Sequence, residues 1–383
     1  MNITIILEAT LGGTRKHVTD LILHLPKEYN VTYIYSRKRC DEKFKKDIVV
    51  LKEIGVNCIE LPMTKTIYNP INILCILKII RILRANRSEV LHLHGAVAGA
   101  LGRIAALFTK RIRKIFYSPH GGVMHKISKS FKSGIYVFIE KALNTSKTYF
   151  VAVSGDEKIK IASLLNVNHS KIFLIPNGIN FTAANYTEKI AEEELNIFKN
   201  RFLTSKEDFV ILYPALFLEA KGHLNFFGTF LEKQLNLKPH IKILLAGDGP
   251  LESEIRAIVE QLPFKDQIFF LGFTENIDPY FKVANAVILP SKNEAFGYVL
   301  LEALAHKKVA FATNVGGIKD IITDGRNGFL YDPAQLDKMI GDLNFYADHP
   351  AELENLTKVS SLDTQKFDIK ITNQQVQKIY NLA

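Results

Sequence analysis

Short apolar runs alternate with amphipathic segments of helical length along the chain, the pattern of strands joined by crossover helices in a parallel sheet. In the first half the apolar runs predict strands at 3–7, 31–35, 90–93, 115–118, 149–153 and 172–175, with helices at about 14–25, 71–86, 97–109, 129–145 and 155–166. The rhythm breaks at Pro176-Asn177-Gly178 and the polar stretch 182–194 that follows, which marks a domain junction. It resumes with predicted strands at 209–214, 241–246, 268–271, 286–289 and 309–312. The pattern predicts an α/β protein of two doubly wound domains, the first over 1–180 and the second over 181–365. Ligands of such sheets bind beyond the carboxyl ends of the strands, so two facing domains are expected to share a cleft.

A length of 383 residues suits two domains, and 47% apolar with 23% charged residues is enough to bury two cores. The formal charge of +10 is unevenly placed: residues 1–180 carry 28 basic and 12 acidic side chains, residues 181–383 carry 21 and 27. A basic first half can meet anionic lipid headgroups or phosphorylated substrates. Cys40, Cys58 and Cys75 are odd in number and lack the spacing of a zinc or redox site, which fits a reducing cytoplasm. The opening residues read as a strand rather than a signal peptide. The longest apolar stretch, 71–83, is interrupted by Lys78 and Arg81 and falls short of the ~20 residues of a membrane span.

Several strand ends carry candidate chemistry. The first strand runs into Gly12-Gly13, a turn that lets backbone N–H groups approach an anion at a helix start. His92-Leu93-His94-Gly95 and Pro119-His120-Gly121-Gly122 place imidazoles at strand ends, where they can donate a hydrogen bond or exchange a proton. No cysteine or carboxylate cluster joins His92 and His94, so no metal site is expected, and His92 itself reads as a hydrogen-bonded buried histidine. After the strand 286–289 comes Ser291-Lys292-Asn293-Glu294-Ala295-Phe296-Gly297, with Glu302 further on. A helix starting near Phe296 would aim its first N–H groups at a diphosphate, place Glu302 about two turns inside for a ribose, and leave Glu294 beside a sugar ring.

Together these segments resemble the retaining glycosyltransferases of family 4. The resemblance takes in Gly12-Gly13, Val90-Leu91-His92-Leu93-His94, Ser118-Pro119-His120-Gly121, Val153-Ser154 and Ile175-Pro176-Asn177-Gly178-Ile179. It continues through Lys221-Gly222, Gly247-Asp248-Gly249-Pro250, the pair Glu294 and Glu302, Val315-Gly316-Gly317 and Asp324-Gly325-Arg326-Asn327-Gly328. It implies the GT-B fold, two Rossmann-like domains facing across a cleft, with a C-terminal helix, 366–383, packed back on the first domain. It also implies that Glu294 touches donor-sugar hydroxyls, that Glu302 binds the nucleotide ribose and that Lys221 contacts the diphosphate. The donor site would comprise Gly12, Gly13, Lys221, Glu294, Ala295, Phe296, Gly297 and Glu302, with His120, Glu294 and Lys221 catalytic. One departure stands out: Leu216 occupies the place where the family usually has an arginine, removing one diphosphate cation. Arg15, Lys16 and Lys292 are the candidate substitutes.

The expected activity is transfer of a sugar, hexosyl or N-acetylhexosaminyl, from a nucleotide diphosphate sugar to an acceptor hydroxyl without a metal or other cofactor. Two other activities fit the same residues, a nucleotide-sugar epimerase and a catalytically weak glycan-binding paralogue. By resemblance the acceptor is a glycan or a lipid-linked glycan of bacterial surface polysaccharide synthesis, and nucleic acid is not an expected partner. The protein is expected in the cytoplasm, with peripheral contact at the inner face of the membrane. Lys110, Arg111, Arg113 and Lys114, with Lys126, Lys129 and Lys132, are the candidate basic patches for that contact.

Overall fold

The computed structural model describes residues 1–121, 131–181, 201–203, 205, 207–274 and 276–382. Lys126 and Lys129 of the expected basic patch lie outside the described residues, as does the side chain of Lys132. The chain divides into two units, one of Met1–Ile179 with Phe367–Ala383, the other of Asn180–Lys366.

The first unit holds the strands β1 (Asn2–Leu7), β2 (Asn30–Tyr35), β3 (Asn57–Glu60), β4 (Val90–His94), β5 (Lys114–Ser118), β6 (Thr148–Ala152) and β7 (Ile172–Leu174). Its helices are α1 (Gly12–Leu23), α2 (Lys43–Glu53), α3 (Pro70–Ala85), α4 (Ala96–Leu107), α5 (Phe131–Ala142) and α6 (Gly155–Leu165). The strands form one parallel sheet in the order β3-β2-β1-β4-β5-β6-β7. The near-continuous apolar runs follow from this arrangement, because helices cover both faces of such a sheet. Ile6, Ile34, Leu91 and Leu93 enter the core beneath α3 and α4, while Ile5, Leu7, Tyr33 and Phe116 enter the core that α1 and the helix Ile369–Asn381 complete.

That last helix reaches the first unit by backbone pairing. Ile179 N–H donates to the Phe367 carbonyl at 2.9 Å and Ile369 N–H to the Ile179 carbonyl at 3.0 Å, while Thr372 Oγ1 donates to the Pro176 carbonyl at 3.0 Å. The Pro176-Asn177-Gly178 segment is therefore the seat of the returning helix. Tyr380, fully buried, fills its far end.

The second unit holds β8 (Phe209–Pro214), β9 (Ile241–Ala246), β10 (Ile268–Gly272), β11 (Ala286–Leu289), β12 (Val309–Thr313) and β13 (Gly328–Tyr331), a parallel sheet in the order β10-β9-β8-β11-β12-β13. Two strands lie where the apolar pattern predicts none, β3 and β13. Both are four-residue edge strands; β3 (Asn57-Cys58-Ile59-Glu60) has polar ends and no buried residue, whereas β13 (Gly328-Phe329-Leu330-Tyr331) is a short apolar run directly after a turn. Among the described residues no helix is long and apolar enough to cross a membrane.

Candidate active site

In the first sheet the strand order reverses between β1 and β4, where Leu7 pairs with His94. The carboxyl ends of the strands at such a reversal are where open α/β sheets bind ligands. Four imidazoles gather there, His17 from α1, His92 and His94 from β4, and His120 from the turn after β5. His92 and His94, two apart on a strand, share a face with their rings 4.1 Å apart. His92 is held on both sides, Nδ1 at 2.5 Å from the Tyr380 hydroxyl and Nε2 at 3.1 Å from Ser118 Oγ. His94 Nδ1 lies 2.9 Å from His120 Nε2, and the His17 ring sits 5.6 Å from His94 and 5.3 Å from His120.

Burial makes these rings poor bases. It pushes His17 down to about 4, and burial together with His17 pushes His92 down to about 3. His94 and His120 fall well below the ordinary histidine range, first by burial and then by the other imidazoles. At neutral pH the group is therefore uncharged, and His94 and His120 share a single proton in their hydrogen bond. An uncharged His120 acts by hydrogen bonding.

The ligand atoms of His17, His94 and His120 lie within 4.8 Å of one another, a set the sequence does not reveal because His17 comes from a distant helix. Histidines that ligate a resident metal almost always donate their second N–H to an acceptor that fixes the ring. Here His94 Nδ1 is engaged with His120 Nε2, while His17 Nδ1 and His94 Nε2 are buried without a hydrogen-bond partner among the described residues.

Gly12 opens α1 with φ +59°, and its N–H already donates to Asp41 Oδ2 at 3.0 Å. The same carboxylate takes Arg15 Nε at 3.0 Å, and Arg15 also pairs with Asp47. Arg15 is 8% exposed. This cation, a candidate substitute for the missing arginine, is committed to tying α1 to Asp41 and α2.

The second sheet reverses between β8 and β11, and the segments after these strands carry Lys221 and Glu294. Lys221 Nζ pairs with the Glu294 carboxylate. The backbone around them is locked: Lys292 N–H donates to the Ala220 carbonyl at 2.9 Å, and Tyr213 Oη donates to the Lys221 carbonyl at 2.6 Å. Glycines are required at two contacts. A Cβ on Gly222 (φ +80°) would stand 1.9 Å from the Pro290 carbonyl oxygen, and one on Gly316 (φ +52°) 1.7 Å from that of Glu294. Gly317 N–H then donates to the same Glu294 oxygen at 3.1 Å, so Val315-Gly316-Gly317 acts as a clamp on Glu294.

Two expectations need revision here. The helix after Gly297 runs Tyr298–Ala305, starting two residues beyond Phe296, because Gly297 at φ +96° is its cap. Glu302 is consequently its fifth residue, little more than one turn inside rather than two. Phe296 is 3% exposed, whereas Ala295 and Glu302 are half-buried. Leu216 is half-buried, and Lys292 is exposed with Nζ 3.4 Å from Glu219. Lys110, Arg111 and Arg113 precede β5 and Lys114 begins it, at the end of the sheet opposite His94 and His120.

Residues 11–182 match the family described as Glycosyltransferase Family 4, and residues 196–360 match Glycosyl transferases group 1. The chain belongs to glycosyltransferase family 4. It is 24% identical to the N-acetyl-alpha-D-glucosaminyl L-malate synthase of Bacillus anthracis over 75% of this chain and 70% of that one. It is 23% identical to the UDP-Gal:alpha-D-GlcNAc-diphosphoundecaprenol alpha-1,3-galactosyltransferase of Escherichia coli, over 70% and 68%. The crystal structure of Anabaena Alr3699/HepE in complex with UDP and glucose superposes with a TM-score of 0.82 at 17% identity over the whole of both chains. The fold of this glycosyltransferase is GT-B, two Rossmann-like domains.

Proposed function

We propose that this glycosyltransferase moves a sugar from a nucleotide diphosphate sugar to an acceptor hydroxyl, with retention at the anomeric carbon and without a metal ion. The observation that carries this reading is the Lys221–Glu294 pair, clamped at the carboxyl ends of β8 and β11. A donor offers a diphosphate to the ammonium and sugar hydroxyls to the carboxylate. The leaving nucleoside diphosphate gains negative charge in the transition state, and a fixed cation stabilises that charge where it develops. Glu302, one turn into its helix, is assigned to the ribose hydroxyls. His120 is assigned to orienting the reacting sugar or the acceptor through its neutral ring.

The Escherichia coli relative, by its name, takes UDP-galactose and an acceptor linked to diphosphoundecaprenol. A lipid-linked glycan of surface polysaccharide synthesis is the acceptor class we assign here, and the excess of basic residues in 1–180 favours such an anionic acceptor. The test is a thermal-shift screen of the purified protein against UDP-, GDP-, ADP- and dTDP-sugars, followed by nucleotide release with and without acceptor. One nucleotide class should stabilise the protein, and release should depend on Lys221. Stabilisation by none of them would remove the assignment.

A further inference from the structure

His120 and Gly121 follow β5 with φ of +51° and +78°, two successive residues in the left-handed region. A residue other than glycine is uncommon in that region. The turn is met by Glu157, on α6, fully buried. One carboxylate oxygen accepts the Gly121 N–H at 2.6 Å and the other the Val153 N–H at 2.8 Å, while Glu157 N–H donates to the capping Ser154 Oγ at 3.2 Å. A single side chain thus ties the end of β6 to the turn that presents His120.

We propose that Glu157 is a positioning residue for sugar transfer, its carboxylate holding the left-handed turn that sets His120 against His94. The proposal rests on the role assigned to His120 above. The carboxylate form is the one required, because two backbone donors need two acceptor oxygens, and a protonated acid or a carboxamide offers an N–H or O–H to one of them. Burial raises Glu157 to about 7, against the lowering effect of the Gly121 and Val153 amides. Asp156 raises it further, Lys160 lowers it, and the buried Tyr117 hydroxyl on β5 responds to its charge. The turn therefore loosens as pH falls through neutrality. The effect of Glu157 on His120 passes through its hydrogen bond to the Gly121 amide.

The test compares His120→Ala, Glu157→Gln and the double variant, with nucleotide release from UDP-glucose, UDP-N-acetylglucosamine and GDP-mannose as probes. Glu157→Gln is expected to lower kcat about tenfold or more with little change in donor KM, to flatten the acid limb of the pH profile, and to add nothing in the His120→Ala background. Full turnover in His120→Ala would remove the role given to that histidine. A loss in His120→Ala with none in Glu157→Gln, or losses that simply multiply, would remove this proposal alone. A second measurement needs no turnover and no variant: in 15N–1H spectra of the full chain, the Gly121 amide proton should titrate with a midpoint of about 7. A Gly121 shift that does not move with pH would overturn the inference.

Discussion

Lys221 and Glu294, 73 residues apart in the chain, meet as an ion pair because β8 and β11 are neighbours at the reversal of strand order. With Leu216 where the family usually has an arginine, the proposed function leaves the donor diphosphate to Lys221. Lys221→Ala is expected to lower kcat/KM by at least about 10², the scale of losing one transition-state charge partner. Leu216→Arg should be tolerated or raise the rate. Nucleotide release at saturating donor checks both, and near wild-type activity in Lys221→Ala would place the diphosphate elsewhere.

Glu302 sits one turn into a helix capped by Gly297, and the proposed function assigns its carboxylate to the ribose hydroxyls. Glu302→Ala should weaken nucleotide binding more than tenfold, since a hydrogen bond to a charged group contributes about 1.5–3 kcal/mol. Calorimetry with the nucleoside diphosphate measures this directly. Unchanged affinity in the folded variant would withdraw the assignment.

Gly316 is pressed against the Glu294 carbonyl, and a Cβ there would stand 1.7 Å from that oxygen in a backbone conformation that already disfavours side chains. Gly316→Ala should therefore displace Glu294 and reduce turnover about tenfold or more, with a stability loss of about 1–3 kcal/mol. Gly341, exposed within the helix Leu336–Asp348 and with open space for an added Cβ, provides the control: Gly341→Ala should leave turnover unchanged and raise stability by about 0.5–1 kcal/mol. Equal behaviour of the two variants in thermal melts and turnover would contradict the clamp.

The buried imidazoles make stability depend on pH with a definite sign. His17 at about 4 and His92 at about 3 lie below the ordinary histidine value of 6.5, so the unfolded chain binds their protons first. Their contribution is complete above that ordinary value and is lost as pH falls toward about 4 and then about 3. Glu157, raised to about 7, opposes this loss, because the folded state takes its proton before the unfolded state does. Replacing His17 by Gln should make the acid fall in Tm shallower, and replacing Glu157 by Gln should make it steeper. Melting curves from about pH 7.5 to about 4.5 check both slopes.

The sequence by itself determined the two doubly wound sheets and nearly every central strand, because strands buried on both faces must be almost wholly apolar and that run is local in the chain. The placement of His120, Lys221 and Glu294 in the segments that follow strands was legible too, because each comes soon after an apolar run. The four-residue edge strands β3 and β13 escaped it, and so did the start of the helix at Tyr298, fixed by a single left-handed glycine. What only the tertiary structure decided is pairing at a distance. Arg15 is spent on Asp41 and Asp47, His17 joins His94 and His120, Tyr380 holds His92 across 288 positions, and Glu157 governs the turn at Gly121. None of these has a local signature, because a buried polar side chain is satisfied by whatever donor or acceptor the fold brings within hydrogen-bond reach, and strand order together with the packing of helices on the sheet decides which that will be.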